Sequence, residues 1–171
     1  MRKIKEIIVH CTATRQTITS EDIASIWKAR GWRIGGYHYI IYPNGECEYA
    51  IPIQLVSNGC RGHNANAINI AYVGGIDAHG RPTDNRTAEQ TDTMVLLLMQ
   101  LKAKFPTAQI IGHREIWGRN PNQWHKMCPC FDVAELREGW DLSTIPRTSA
   151  RAAAAARGCI PILMAASYSS R

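Results

Sequence analysis

The chain has no apolar run approaching the roughly 18 residues needed to cross a bilayer, which excludes a membrane-spanning helix. It has no block of five or more basic residues. Its aromatic residues do not fall into a recognisable RNA-binding sheet motif either, so no nucleic-acid partner is expected. A net charge of +6 therefore points to some other anionic partner, such as a cell-wall polymer, or to solubility alone. Paired CxxC motifs are missing, which argues against a zinc ribbon. No internal repeat is present. No secretory signal peptide is expected, because "MRKIKE" runs directly into a strand pattern. The expectation is cytoplasmic synthesis, with mostly reduced cysteines and action elsewhere only after release or export by another route.

What is present suits one domain with a real core: 171 residues, 45% hydrophobic and 20% charged. "KIKEIIVH" (3–10) reads as a strand that is buried at its end. "TSEDIASIWKAR" (19–30) reads as a helix capped by Thr19 or Ser20, with Ile23, Ile26 and Trp27 on one face. "YHYIIYPNGECEYAI" (37–51) has two strand-like runs around Pro43-Asn44-Gly45, a hairpin. "INIAYVGGID" (68–77) is a further strand. "TAEQTDTMVLLLMQLKAKF" (87–105) is a long helix with a Thr87/Gln90 capping box, and Met94, Leu97, Leu98, Leu101 and Phe105 turned inward. "AQIIGH" (108–113) is a short buried strand, and "FDVAELREGW" (131–140) a short helix. Strands alternating with helices, plus one antiparallel hairpin, predict an α/β fold with a mixed central sheet flanked by helices. A domain over 1–146 is expected, followed by an Ala/Ser/Arg-rich tail over 147–171 that contributes little to function.

Two strands end in histidine, at His10 and His113. Neutral imidazole is a good zinc ligand. If the two strands are neighbours, both side chains reach one point at the sheet edge. Cys128 follows in a loop that can fold back, and three protein ligands with an open fourth position make a catalytic rather than structural site. On spacing alone, unrelated core His and Cys residues explain the same pattern.

Taken together and in order, "IIVHCTAT", "GYHYIIYPNGECEYA", "NAINIAYVGGID", "IIGHREIWG" and "KMCPCFDV" resemble the zinc-dependent N-acetylmuramoyl-L-alanine amidases of the type-2 family. The phage lysozyme-type branch, which shares its fold with the peptidoglycan recognition proteins, is the most similar, over about residues 3–140. The resemblance implies Zn2+ held by His10, His113 and Cys128, with catalytic roles for Tyr37 and Lys126. It implies hydrolysis of the amide between N-acetylmuramic acid and L-alanine in peptidoglycan, as in a phage or prophage endolysin. The alternative is a non-catalytic peptidoglycan-binding module on the same fold; Cys128, whose loss usually marks that state, is present. Arg61, His63 and Asn64 fall where the family lines its substrate groove, and Glu115 is a candidate for orienting a ligand. The bland readings are a packed aromatic for Tyr37, a solvated charge for Lys126 and a salt bridge for Glu115. Two departures stand out. "GCRGHNAN" shortens the family's "G-x-H-x-K/R-G" run and lacks its groove histidine, and "NANAIN" (64–69) replaces "N-x-N-S-I-G". His38 is expected to pack, His125 to compete weakly as a ligand, and His79 to lie in a loop. Cys11 and Cys130 are neighbours of the metal with a risk of oxidation or mis-ligation. A monomer is the default for a single domain.

Overall fold

A computed structural model describes residues 2–137. The expected domain limit at 146, the tail over 147–171 and the last residues of the 131–140 helix lie outside the described residues.

A five-stranded sheet runs in the order β3-β2-β4-β1-β5. Its strands are β1 (Glu6–Cys11), β2 (Tyr39–Ile41), β3 (Cys47–Tyr49), β4 (Ala67–Tyr72) and β5 (Gln109–Gly112). β1 is parallel to both β4 and β5, β2 is parallel to β4, and β3 closes the hairpin antiparallel to β2. The sheet is thus mixed, as expected. Every residue of β4 is buried, as a central parallel strand covered on both faces must be.

The pleat divides the buried residues between the faces. Ile7, Val9 and Cys11 of β1 join Ile68, Ile70 and Tyr72 of β4 in the main core, together with Met94, Leu97, Leu98 and Leu101 of α2 (Ala88–Lys104). Ile8 of β1 packs on the opposite face with Cys60 and Ala67. Further along that face Ile40 packs with Ile23 of α1 (Ser20–Ala29), with Trp27 and Tyr37 against them.

Both helices begin with reciprocal capping boxes. Thr19 pairs with Asp22 in α1 and Thr87 with Gln90 in α2. Gln90 does more than cap. It is fully buried, and its Nε2 donates to the carbonyls of Ile41 (3.0 Å), the last residue of β2, and Val73 (2.9 Å), just past β4. The hairpin turn closes through the Gly45 N–H donating to the Tyr42 carbonyl at 2.8 Å, with Gly45 at φ +81°. The predicted helix at 131–140 is instead a 3-10 turn over Val133–Leu136, capped by Asp132. It packs Val133 and Leu136 into the main core.

Replacing Gln90 with Leu keeps the volume but removes the cap and the side-chain donor from two buried carbonyls; the Ile41 carbonyl keeps its bond from Val73 N–H at 2.8 Å, so the main loss falls on the Val73 carbonyl. Gln90→Leu is expected to destabilise the protein by about 1–3 kcal/mol, read as a lower urea midpoint. An unchanged midpoint would show that the two carbonyls find other partners.

Candidate active site

The β1–β5 register runs Glu6↔Gln109 to Val9↔Gly112, so the next pair in step is His10 and His113. Residues paired across neighbouring strands project to the same face, and the two rings meet with centroids 4.5 Å apart. Their Nδ1 atoms lie 3.0 Å from each other. His10 is the penultimate residue of β1, and His113 is the first residue of a 3-10 turn (His113–Trp117). Cys128 arrives from a loop. Its carbonyl accepts from Arg114 N at 2.8 Å, its Sγ accepts from Cys11 N at 3.3 Å, and the Tyr72 hydroxyl donates to the next carbonyl, Pro129 O, at 2.8 Å. The Cys128–Pro129 peptide is cis. Cys128 Sγ then stands 3.9 Å from His10 Nδ1.

These three donor atoms all lie within 4.8 Å of one another and form a group that could hold a metal ion. Zinc bonds of about 2.0 Å to nitrogen and 2.3 Å to sulfur require donors roughly 3–4 Å apart; the His10–His113 pair at 3.0 Å and the His10–Cys128 pair at 3.9 Å meet that spacing. The donor chemistry fits as well. Burial pushes the His10 imidazole down to about 4, against a weaker opposing effect of its hydrogen bond to Asn69. Burial, then the adjoining His10, pushes His113 down to about 3. Both rings are therefore neutral at pH 7 and present lone pairs. His10 Nε2 faces Asn69 Oδ1 at 2.9 Å, which leaves His10 Nδ1 as the unprotonated nitrogen with a lone pair to offer.

Beside the donors lies a groove of about 370 Å3. Tyr37, Arg61, His113, Lys126 and Cys128 all line it, so two of the three predicted ligands and both predicted catalytic residues share one cavity. Tyr37 packs against His10 (ring centroids 5.3 Å) and Trp27 (6.0 Å). Desolvation by burial pushes its phenol well above the usual range, so it stays protonated. Lys126 is exposed at the rim, close enough for its charge to depress both histidines.

Other predicted residues sit elsewhere. His63 and Asn64 do not line the groove: His63 Nδ1 contacts the Glu6 carboxylate at 2.8 Å, and Asn64 Oδ1 accepts from Cys60 N at 2.7 Å. Glu115 accepts from Gly112 N at 2.5 Å and pairs with Arg137, so it braces the turn carrying His113 rather than touching the ring. His38 is buried, as expected, and His79 is an exposed loop residue. His125 is exposed and packs on Trp117. Cys11 points into the α2-side core and Cys130 lies 3.9 Å from it, so neither joins the donor group. Several groove residues were not singled out from the sequence: Trp27, Arg30, Trp32 and Trp117. Tryptophan in the irregular stretches "GWRIGG" and "EIWGRNP" was the available signal, since a large aromatic outside a periodic element is often a binding surface.

Three buried histidines, His10, His38 and His113, are held down to about 4, 4 and 3, in each case mainly by burial. Unfolded, each would titrate near 6.5, so between there and about 4 the unfolded chain binds more protons. The metal-free protein is expected to hold this stability above pH 6.5 and lose it as pH falls toward 4. The slope is up to about 1.4 kcal/mol per pH unit for each histidine. Urea midpoints measured in chelator across that range check it; a flat profile contradicts it.

The N-acetylmuramoyl-L-alanine amidase family model, Amidase_2, matches residues 1–130. The endolysin of Escherichia phage T7 is 34% identical over 143 residues, which is 82% of this chain and 90% of that protein. The endolysin of Klebsiella phage KP32 is 32% identical over 145 residues, 84% of this chain and 91% of the relative. Among solved structures, the N-acetylmuramoyl-L-alanine amidase LysC from Clostridium intestinale superposes with a TM-score of 0.65 at 25% identity, covering 79% of this chain and 83% of that one. Drosophila PGRP-LB shares the fold at 16% identity, with a TM-score of 0.61 over 87% of this chain and 88% of that one. The chain belongs to the N-acetylmuramoyl-L-alanine amidase family and is an amidase.

Proposed function

We propose that this amidase is a zinc-dependent endolysin that hydrolyses the amide bond between N-acetylmuramic acid and L-alanine in peptidoglycan. The observation that carries the reading is the His10, His113 and Cys128 donor group set against a groove that also holds Tyr37 and Lys126. Zinc bound there would supply a nucleophile at neutral pH, by lowering the pKa of water to about 7, and would polarise the scissile carbonyl.

The chain's own residues supply the rest. As the carbonyl carbon becomes tetrahedral, negative charge grows on its oxygen. The Lys126 ammonium is the cation available to donate to that oxygen. The Tyr37 hydroxyl, kept protonated by its surroundings, is a donor that orients the attacking water or shares the oxyanion. Trp27, Trp32 and Trp117 line the groove with apolar faces that would suit the substrate, and Arg61 and Arg30 in the same lining would pair with carboxylates of a peptide stem. Like the phage endolysins it resembles, the protein would act on the cell wall.

Purified peptidoglycan is the test substrate. The full chain is expected to release peptides with new L-alanine N-termini, and both chelator and Cys128→Ser should reduce release to background. A chain that stays fully active after verified metal removal would overturn the zinc reading. Lys126→Ala is expected to lower kcat about 100–1,000-fold while zinc content stays unchanged. If the variant keeps wild-type kcat, Lys126 is only a solvated loop charge.

A further inference from the structure

Asn69 lies on β4 one strand away from His10, with Ile8 directly opposite it in register. It is fully buried and belongs to the sheet face that carries the metal donors. Its carbonyl accepts from His38 N at 2.8 Å, and four further hydrogen bonds hold its amide and side chain. Its N–H donates to His38 Nδ1 at 2.9 Å. Its Nδ2 donates to Ser57 Oγ at 2.9 Å and to Asn64 Oδ1 at 3.1 Å. Its Oδ1 accepts from His10 Nε2 at 2.9 Å.

The polarity of this chain of bonds starts from a backbone amide. Cys60 N–H can only donate, so the Asn64 side-chain atom it meets is an oxygen. That oxygen in turn requires the NH2 end of Asn69. The oxygen end of Asn69 therefore faces His10, and His10 must carry its proton on Nε2. The lone pair left on Nδ1 points to His113 Nδ1 and Cys128 Sγ. In the metal-free protein the single proton between the two Nδ1 atoms then belongs to His113.

We propose that Asn69 is a positioning residue for the metal ligand His10, fixing the tautomer and ring orientation in which Nδ1 ligates. The proposal rests on the zinc reading above. Position 69 is one at which this chain departs from the pattern it resembles, which has glycine there and so offers no acceptor. The neighbouring loop is adapted to the larger residue. A Cβ at Gly59 would come within 2.6 Å of Asn69 Cγ and 2.7 Å of the Gly36 carbonyl. Asn69 thus fills the volume that any side chain at position 59 would need, in the same loop that lacks the groove histidine.

The test compares Asn69→Leu, which keeps volume but loses the acceptor, with Asn69→Asp, which keeps the acceptor. Imidazole nitrogen NMR on the zinc-free full chain is expected to find His10 as the Nε2–H tautomer in wild type and in Asn69→Asp. Asn69→Leu should lose that preference. Zinc affinity, read by competition with a chromophoric chelator, should fall about 10–100-fold in Asn69→Leu and stay within about threefold of wild type in Asn69→Asp. A wild-type tautomer and zinc Kd in Asn69→Leu would overturn the proposal. So would an equal loss of affinity in both variants, which would mean packing alone. If Asn69→Leu does not fold, Ser57→Ala carries the test: loosening the Asn69 amide should weaken zinc a few-fold, and an unchanged Kd overturns the idea. If wild type binds no zinc, the metal reading fails by itself, and the tautomer comparison still decides what Asn69 does.

Discussion

The parallel pairing of β1 with β5 is the constraint on which the site depends. Val9 opposite Gly112 sets His10 beside His113, and the pleat turns both rings to the same face. A one-residue slip would send one ring into the α2-side core and leave the other alone. Cys128 can join only because the β1 edge is already there to receive it: Cys11 N–H holds its sulfur, and Arg114 N–H, in the turn that follows β5, holds its carbonyl. Desolvation then keeps both imidazoles neutral, so neither carries a positive charge into the donor group.

The two faces of the sheet carry different duties. On one side α2 lays down Met94, Leu97, Leu98 and Leu101 over Ile7, Val9, Ile68 and Ile70, an apolar core that needs no polar partner. The other side buries His10, His38, Ser57 and Asn69, and each of these finds a hydrogen bond within that set or to backbone nearby. Buried polar groups are tolerated when satisfied, and a satisfied network is stiff. The apolar face packs the sheet against α2, and the polar face uses that rigidity to hold the two histidines of the donor group and the groove beside them. Gly75 shows how tight the junction is. It follows β4 at φ +97°, and a Cβ there would meet Cys11 Sγ at 2.4 Å.

Much of this was legible in the chain. The capping box at Thr87 and Gln90, the Pro43-Asn44-Gly45 turn and the inward stripe of α2 all rest on contacts between residues two to four apart. The triplet His10, His113 and Cys128 was legible only through the family resemblance of the ordered motifs, since the spacing of the three residues alone fits unrelated core His and Cys as well. Less was visible where partners are distant. The start of the 131–140 stretch has a helical look, but Asp132 caps and buried Val133 and Leu136 anchor a 3-10 turn over Val133–Leu136 instead. His63 and Asn64 sit in a segment that resembles a groove lining, yet Glu6 and Cys60 engage them.

By itself, then, the sequence determined the elements, their caps and the residue types able to bind a metal, because those follow from local periodicity and side-chain chemistry. Only the tertiary structure decided which atoms face each other. Asn69 reaches Asn64, Ser57, His38 and His10, which lie 5, 12, 31 and 59 residues away, through sheet register and a loop folded back over it. Pairing across strands is set by the packing of whole faces, so no short window of sequence contains it.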